Sequence, residues 1–208
     1  MFFNEKIEIK HAGMIIDSDD DAEFGRPHFE LVDELAKSQI NNNMIMFTLC
    51  LPKSINSDDA KNYFRFILDS GFCKNNKIKV NVVGKWYDLK PELVETVKEV
   101  ISETKDYDNF FLNFCINYDG QQEIVDACKV IGMKIKAGKM DPEIITKEDI
   151  KENLSISGFL PPALIIKTGI KRKLRGFLLW DCINARIYFT EKPFLDFNVK
   201  QFEKILRD

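Results

Sequence analysis

The sequence predicts one α/β domain spanning residues 1–208, built on a mostly parallel β-sheet with helices on its faces. Three observations support this. The chain has 208 residues, the size of one large domain. Its 45% hydrophobic and 30% charged residues are the balance of a folded protein. Short apolar runs also alternate with longer segments of helical periodicity, a pattern typical of βαβ units with parallel strands.

The strands are predicted from short runs rich in apolar residues. Residues 44–51 are apolar apart from Thr48, as expected for a strand that is covered on both faces. Residues 78–83 alternate between apolar and polar and end at Gly84. The five predicted strands cover residues 12–17, 44–51, 78–83, 110–116 and 163–166.

Four helices are predicted from apolar residues that recur every three or four positions. In residues 91–103, Leu93, Val97 and Val100 share one face. Pro91 suits the first turn of that helix, where its missing N–H group is not needed. The predicted helices cover residues 57–69, 91–103, 121–136 and 174–186.

Composition excludes several classes of protein. A net charge of -3 gives no basic field for nucleic acid, so no nucleic-acid partner is expected. The five cysteines are odd in number and lie among apolar residues, which predicts buried free thiols and a cytoplasmic protein. No apolar run reaches the roughly 18 residues needed to span a bilayer, and the amino terminus does not resemble a signal peptide. With only two histidines, a nucleophilic triad is a poor candidate.

Several segments carry more specific motifs. Residues 113–127 read NFCINYDGQQEIVDA, and residues 164–180 read LIIKTGIKRKLRGFLLW. Residues 185–190 read ARIYFT, and HAGMIID at 11–17 places an aspartate six residues after a histidine. Together these resemble the cis-prenyltransferases, the undecaprenyl diphosphate synthase family. The corresponding family motifs are N-x-x-x-N-Y-G-G-R-x-E-I-x-D-A, L-x-I-R-T-x-G-E-x-R-L-S-N-F-L-L-W, A-E-x-Y-F-T and H-x-A-I-I-M-D.

The resemblance implies a dimeric fold with a hydrophobic tunnel for a growing polyprenyl chain. It also implies the condensation of an allylic diphosphate, such as farnesyl diphosphate, with isopentenyl diphosphate in the presence of Mg²⁺. Asp17 is the retained aspartate of the first motif and the implied Mg²⁺ ligand. The residues at the implied isopentenyl diphosphate site are Lys167, Lys171, Lys173 and Arg175.

The allylic diphosphate motif departs from the family pattern. The family has D-G-N-G-R-W-A, whereas this chain has Asp17 followed by SDDDA at 18–22. The family's glycines and arginine are replaced by Ser18, Asp20 and Asp21. A like-charge contact at about 4 Å costs about 4 kcal/mol at a protein-like dielectric, so these carboxylates oppose binding of a diphosphate. The acidic loop either remains solvated or collects Mg²⁺ by itself.

Four other segments or positions also depart from the family. Residues 47–53 replace the polar Y-A-F-S-T-E-N with FTLCLPK, and residues 24–40 are shortened relative to the family. Lysine replaces arginine at position 167, which loses the bidentate fork of the guanidinium. Arg186 stands where the family has a glutamate that helps to hold Mg²⁺. The basic residues of 167–175 either contact phosphate, form a solvated loop, or form a surface for an acidic partner.

These departures lead to three hypotheses. The first is an accessory subunit, with little or no activity alone, of a heteromeric cis-prenyltransferase that makes polyprenyl diphosphate. Its partner would be a catalytic subunit of the same family, although a homodimer is also open. The second is an active Mg²⁺-dependent enzyme with a rewired site, and the third is a module that binds polyprenyl lipid. Isoprenyl diphosphates are the expected ligands, and peripheral contact with a membrane is compatible with all three.

Overall fold

A computed structural model describes residues 9–16 and 23–208, and within them all strands of the central sheet run parallel. The sheet has six strands in the order β3-β4-β2-β1-β5-β6. The strands are β1 His11–Ile15, β2 Met46–Cys50, β3 Ile78–Val83, β4 Phe110–Cys115, β5 Leu164–Lys167 and β6 Arg186–Phe189. The helices are α1 Arg26–Asn41, α2 Ser57–Asp69, α3 Phe72–Asn76, α4 Pro91–Thr104, α5 Gly120–Lys136, α6 Lys147–Glu152 and α7 Val199–Arg207.

The fold confirms the prediction of one α/β domain with a parallel sheet. All five predicted strands are present, and β3 has the predicted bounds. The predicted helices at 57–69, 91–103 and 121–136 are α2, α4 and α5. Helices α1, α3, α6 and α7 and strand β6 were not predicted.

The predicted helix over residues 174–186 is wrong. The chain there makes tight turns and a short 3₁₀ helix, Cys182–Asn184, before β6 begins. Arg175, Gly176 and Leu178 have φ angles of 50°, 72° and 44°, which a right-handed helix does not allow. The apolar spacing instead places Phe177 and Leu178, both buried, against the sheet.

Two apolar layers cover the sheet. One face packs against α1, α2, α4 and α7, and the other packs against α5, α6 and the turns at 174–181. Gly13 in β1 faces the second layer, where an added Cβ would lie 2.6 Å from the ring of Phe177. This glycine therefore makes room for the turn segment under the sheet.

The predicted free thiols are present, but not all of them are buried. All five cysteines are free. Cys73 and Cys115 are buried, Cys50 and Cys182 are half-buried, and Cys128 is exposed on α5. The prediction of burial is therefore wrong for Cys128. Among the described residues, no helix is both long and apolar enough to cross a membrane.

Candidate diphosphate site at the carboxyl edge of the sheet

The described residues of the predicted site are Lys167, at the carboxyl end of β5, and the loop that follows it, at the edge where parallel strands present their ligand-binding loops. Strands β1 and β5 are neighbours, and Ile15 pairs with Lys167 at their ends. Asp17 follows β1 in sequence, but Asp17 and residues 18–22 lie outside the described residues. Its assignment as a Mg²⁺ ligand therefore stays a prediction. Across the described part of the chain, no three His, Cys, Asp or Glu side chains are grouped as a metal would require.

Lys167 is the last residue of β5 and is fully buried. Its ammonium group donates a hydrogen bond to the carbonyl oxygen of Thr168. Thr168 in turn donates from its backbone N–H to the carbonyl oxygen of Ile15, 3.2 Å away. The positive charge of Lys167 is thus fixed inside the protein, beside the point where β1 ends. Such a charge favours an anion at this edge.

The other three predicted basic residues lie in one loop that follows β5. Lys171, Lys173 and Arg175 are all exposed, unlike Lys167. The loop begins where the Gly169 N–H donates to the Lys192 carbonyl oxygen, at 2.8 Å. The structure therefore brings these three side chains to one surface, the basic loop (residues 168–176), with Lys167 buried at its start.

The basic loop is held at its far end by a close contact between two glycines. An ideal Cβ atom on Gly120, the first residue of α5, would lie only 2.1 Å from the carbonyl oxygen of Gly176. Asp119 caps α5 by accepting hydrogen bonds from the N–H groups of Gln121 and Gln122. The two most family-like segments of the sequence therefore contact each other, and their glycines serve this contact.

Helix α1 begins at the same edge, and its first amide groups already have acceptors. The N–H of Arg26 donates to Asp59 Oδ2 at 3.0 Å, and the N–H of Gly25 donates to His28 Nδ1 at 3.2 Å. A helix amino terminus normally attracts anions through such groups. Here the carboxylate of Asp59 takes that place, which the sequence analysis did not identify. Burial lowers the pKa of His28, which favours the neutral imidazole over the imidazolium at this terminus.

Arg186 does not lie at this edge. It is the first residue of β6 and pairs with Leu164, so it belongs to the amino-terminal edge of the sheet. Its Nη2 atom donates to the carbonyl oxygen of Ile205 in the last turn of α7, at 2.9 Å. A cation is favoured at a helix carboxyl terminus. Within this chain Arg186 therefore anchors α7, and the expectation that it inverts the charge of a metal site is not supported by its position.

A buried chain of polar side chains crosses the sheet. His11 in β1 contacts Thr48 Oγ1 through Nε2 at 2.9 Å, and its Nδ1 contacts the Leu160 carbonyl oxygen. Thr48 accepts a bond from Asn113 at 2.9 Å, and Asn113 accepts one from Asn81 at 2.8 Å. Burial lowers the pKa of His11 to about 4, so it is neutral at pH 7. His11 and Asn113 stand in family motifs, but the sequence did not show that they are linked.

The space between the sheet and helices α1 and α2 is filled by aromatic rings. Phe29 stacks on Tyr63 with a centroid distance of 4.9 Å, and Phe64 meets Phe114 edge-on at 5.2 Å. Phe24 joins them through Phe29, and the five side chains are at most 6% exposed. No open tunnel passes between these five side chains, although Phe29 and Tyr63 also help to line a solvent-open groove of about 590 Å³ between α1 and α2. The tunnel implied by the resemblance stays a prediction.

Comparison with known proteins identifies relatives of the chain. Residues 59–208 match the prenyltransferase family model described as "Putative undecaprenyl diphosphate synthase". The chain is 28% identical over 187 residues to an isoprenyl transferase of Oceanobacillus iheyensis, covering 85% of this chain and 74% of that protein. It is 33% identical over 147 residues, 70% of the chain, to a tritrans,polycis-undecaprenyl-diphosphate synthase (geranylgeranyl-diphosphate specific) of Methanocaldococcus jannaschii. The match spans about half, 52%, of that archaeal protein.

Two solved structures share the fold. The lavandulyl diphosphate synthase of Lavandula x intermedia, in complex with dimethylallyl diphosphate, superposes with a TM-score of 0.83 at 17% identity. The match covers 96% of this chain and 94% of that one. A probable undecaprenyl diphosphate synthase from Campylobacter jejuni superposes with a TM-score of 0.71 at 23% identity, covering 96% and 93%. With the family model matched over most of the sequence, the chain belongs to the cis-prenyltransferase family, the family of undecaprenyl diphosphate synthases.

Proposed function

We propose that the chain is a subunit of a cis-prenyltransferase that pairs with a catalytic member of the same family and transfers little or no prenyl group alone. The complex would condense isopentenyl diphosphate with an allylic diphosphate to make a polyprenyl diphosphate. Its relatives are named as isoprenyl transferases, which supports the chemistry of the complex. The proposal that a partner chain carries out the transfer is argued from the filled interior of this chain.

The filled interior is the observation that carries the proposal. An undecaprenyl product has 55 carbon atoms, and if each needs about the volume of one water molecule it occupies on the order of 1,600 Å³. The groove between α1 and α2 has a volume of about 590 Å³ and is lined mainly by charged side chains. This groove is too small and too polar to hold a product of that length. A subunit whose partner houses the product does not need such a space.

Strand β6 offers a surface for that partner. It lies at the edge of the sheet and pairs only with β5 among the described strands. Ile187, Tyr188 and Phe189 are each about 40% exposed, and the preceding Ile183 is 85% exposed. Contiguous exposed apolar groups at a sheet edge are typical of protein–protein contacts. A family member with a similar apolar edge would cover them.

A second candidate is an active enzyme that works without a partner. The basic loop favours it, because Lys171, Lys173 and Arg175 are exposed in the loop that follows β5, the strand beside β1. Mg²⁺ bound by Asp17 would neutralise diphosphate charge there. The third hypothesis, a carrier of polyprenyl lipid, requires an open tunnel, so the filled interior speaks against it. Both the proposed complex and an enzyme acting alone would release a product with a long apolar chain. Peripheral contact with a membrane is compatible with such a product.

Isopentenyl incorporation distinguishes the two candidates. The chain alone, a complete family member alone, and the coexpressed pair are assayed with farnesyl diphosphate and Mg²⁺. We expect no turnover by the chain alone, co-elution of the pair in gel filtration, and higher turnover by the pair than by the partner. Turnover by the chain alone favours the second candidate, and a pair that never co-elutes contradicts the first.

A variant of β6 tests the proposed surface. Ile187→Glu places a charge on the exposed strand and is expected to abolish co-elution. Met133→Glu on α5 is the matched control, because Met133 is also an exposed apolar residue but lies on another face. Equal co-elution of both variants with the partner would show that β6 is not the contact surface.

A further inference from the structure

The outer edge of β6 presents backbone groups as well as apolar side chains. Along a β-strand, successive residues turn their N–H and C=O groups to opposite sides of the strand. The N–H groups of Arg186 and Thr190 both donate to carbonyl oxygens in residues 163–167, at 2.9 Å. The even-numbered residues from Arg186 to Thr190 therefore face β5, whereas Ile187 and Phe189 turn their backbone groups outward.

These outward groups have no hydrogen-bond partner in the described part of the chain. Neither the N–H nor the C=O group of Ile187 or Phe189 bonds to another segment, and both residues are exposed. The opposite edge of the sheet differs, because the Val80 N–H in β3 donates to Thr104 Oγ1 in α4 at 3.1 Å. A helix thus covers part of one edge, and the other edge keeps donors and acceptors that face solvent.

Apolar side chains lie on both faces of this open edge. Ile187 pairs in register with Ile165 of the second apolar layer, and Tyr188 pairs with Ile166 of the first. Register partners in a parallel sheet point to the same face, so both faces of β6 continue the apolar layers. Proteins protect open edges with charged residues or proline, and the three residues after Arg186 include neither. An edge of this kind is suited to pairing with another strand.

The catalytic partner of the proposed function has a strand of the matching kind. As a member of the same family it shares this fold, and the family model matched here runs through β6 to residue 208. The two solved structures with this fold each cover 96% of the chain. Pairing between backbones does not depend on side-chain identity, so low sequence identity does not prevent it.

We propose that β6 pairs with the equivalent edge strand of the catalytic partner, so that the two sheets join into one continuous sheet. This inference rests on the proposed function and assigns its partner to a backbone contact. Equivalent edges related by a two-fold axis run antiparallel. With that axis at Tyr188, Ile187 and Phe189 each exchange N–H···O=C bonds with the residue opposite. The apolar side chains of both strands then pack together on the two faces.

Amide hydrogen exchange tests the contact on the native chain, measured alone and in the pair coexpressed with a complete family member. In the chain alone, the N–H groups of Ile187 and Phe189 should exchange rapidly, while that of Tyr188, which faces β5, should exchange slowly. In the co-eluting pair, exchange at Ile187 and Phe189 should slow about 100-fold or more, with little change at Tyr188. A contact through side chains alone would not produce this alternation.

Two substitutions of one residue separate the backbone contact from the side-chain contact. Ile187→Pro removes an N–H group that does not face β5, and proline is tolerated on an edge strand at such a position. Ile187→Ala removes most of the same side chain but keeps the N–H group. The proline variant should bind the partner about tenfold more weakly than the alanine variant, because one hydrogen bond is lost and its acceptor stays unpaired.

Co-elution and exchange together separate the ways in which the inference could fail. Failure of the native pair to co-elute would overturn the proposed function and this inference together. Co-elution without slower exchange at Ile187 and Phe189, or equal binding by the two variants, would overturn only the backbone contact. A dimer of the chain alone with the same slowed amides would assign the edge to a second copy instead of the catalytic partner. If circular dichroism shows that Ile187→Pro is unfolded, Phe189→Pro replaces it, and the exchange measurement needs no variant.

Discussion

The contact between Gly120 and Gly176 predicts a large effect for a single added methyl group. In Gly120→Ala the new Cβ atom would lie 2.1 Å from the Gly176 carbonyl oxygen and 2.8 Å from Leu179 Cβ, whereas ordinary contacts begin near 3.4 Å. One of the two backbones must therefore shift by more than 1 Å. Overpacking of this kind costs about 1–3 kcal/mol, and because backbone must move we expect the upper end, about 3 kcal/mol.

Thermal denaturation measures this effect. For a chain of 150–250 residues, 1 kcal/mol changes Tm by about 2–4 °C, so Gly120→Ala should lower Tm by roughly 6–12 °C. Gly132→Ala is the matched control in the same helix, since nothing lies within 4 Å of its added Cβ. Alanine is the better helix former by about 1 kcal/mol, so this control should not lower Tm.

Hydrogen exchange locates the change. Because Gly176 ends the basic loop, Gly120→Ala should accelerate exchange in residues 168–178, and Gly132→Ala should not. A Tm for Gly120→Ala within about 1 °C of the native value would correspond to well under 1 kcal/mol, and it would refute the claim that this close approach fixes the loop.

Three further predictions follow from buried groups and from Arg186. The unfolded chain protonates His11 near pH 6.5 but the folded chain only near 4, so stability should fall by about 3 kcal/mol as pH drops through that window. Urea denaturation of His11→Asn should show a smaller fall; an equal fall contradicts the assignment. Among the thiols, exposed Cys128 should react rapidly with a disulfide reagent, whereas buried Cys73, whose pKa is raised to about 12, and Cys115 should react only on unfolding. Cys128→Ser should remove the rapid phase, and rapid labelling of Cys115 would contradict its burial. Arg186→Met loses the bond to the Ile205 carbonyl oxygen and should cost about 1 kcal/mol, seen as a Tm lower by about 2–4 °C, without changing turnover of the assembled pair. A loss of turnover with unchanged Tm would restore a role for Arg186 at a metal site.

The sequence predicted β1, β2, β4 and β5 because most of their residues are buried and read as almost continuous apolar runs, and it predicted β3 from its alternation of apolar and polar residues. It missed β6, whose four residues are all exposed. It missed α1, although Phe29, Val32 and Leu35 follow a helical spacing. It also took the apolar spacing of 174–186 for a helix, because φ angles such as that of Arg175 depend on packing against α5. The basic loop could be predicted from its charges. The burial of Lys167 and the capping of α1 by Asp59 could not, since both depend on segments that are distant in sequence.

The polar chain through His11, Thr48, Asn113 and Asn81 has a consequence for strand alignment. A strand that is apolar on both faces can slide by one residue without exposing its apolar groups, so hydrophobicity alone does not select one alignment. In this sheet each of four adjacent strands contributes one hydrogen-bonding side chain. Thr48, Asn113 and Asn81 are register partners, and His11 reaches Thr48 from two residues before Gly13, the register partner of Thr48. A slip of one residue would turn that side chain to the opposite face and leave its partners unsatisfied in an apolar layer. The hydrogen bonds between these polar side chains therefore stabilise only one alignment of the four strands.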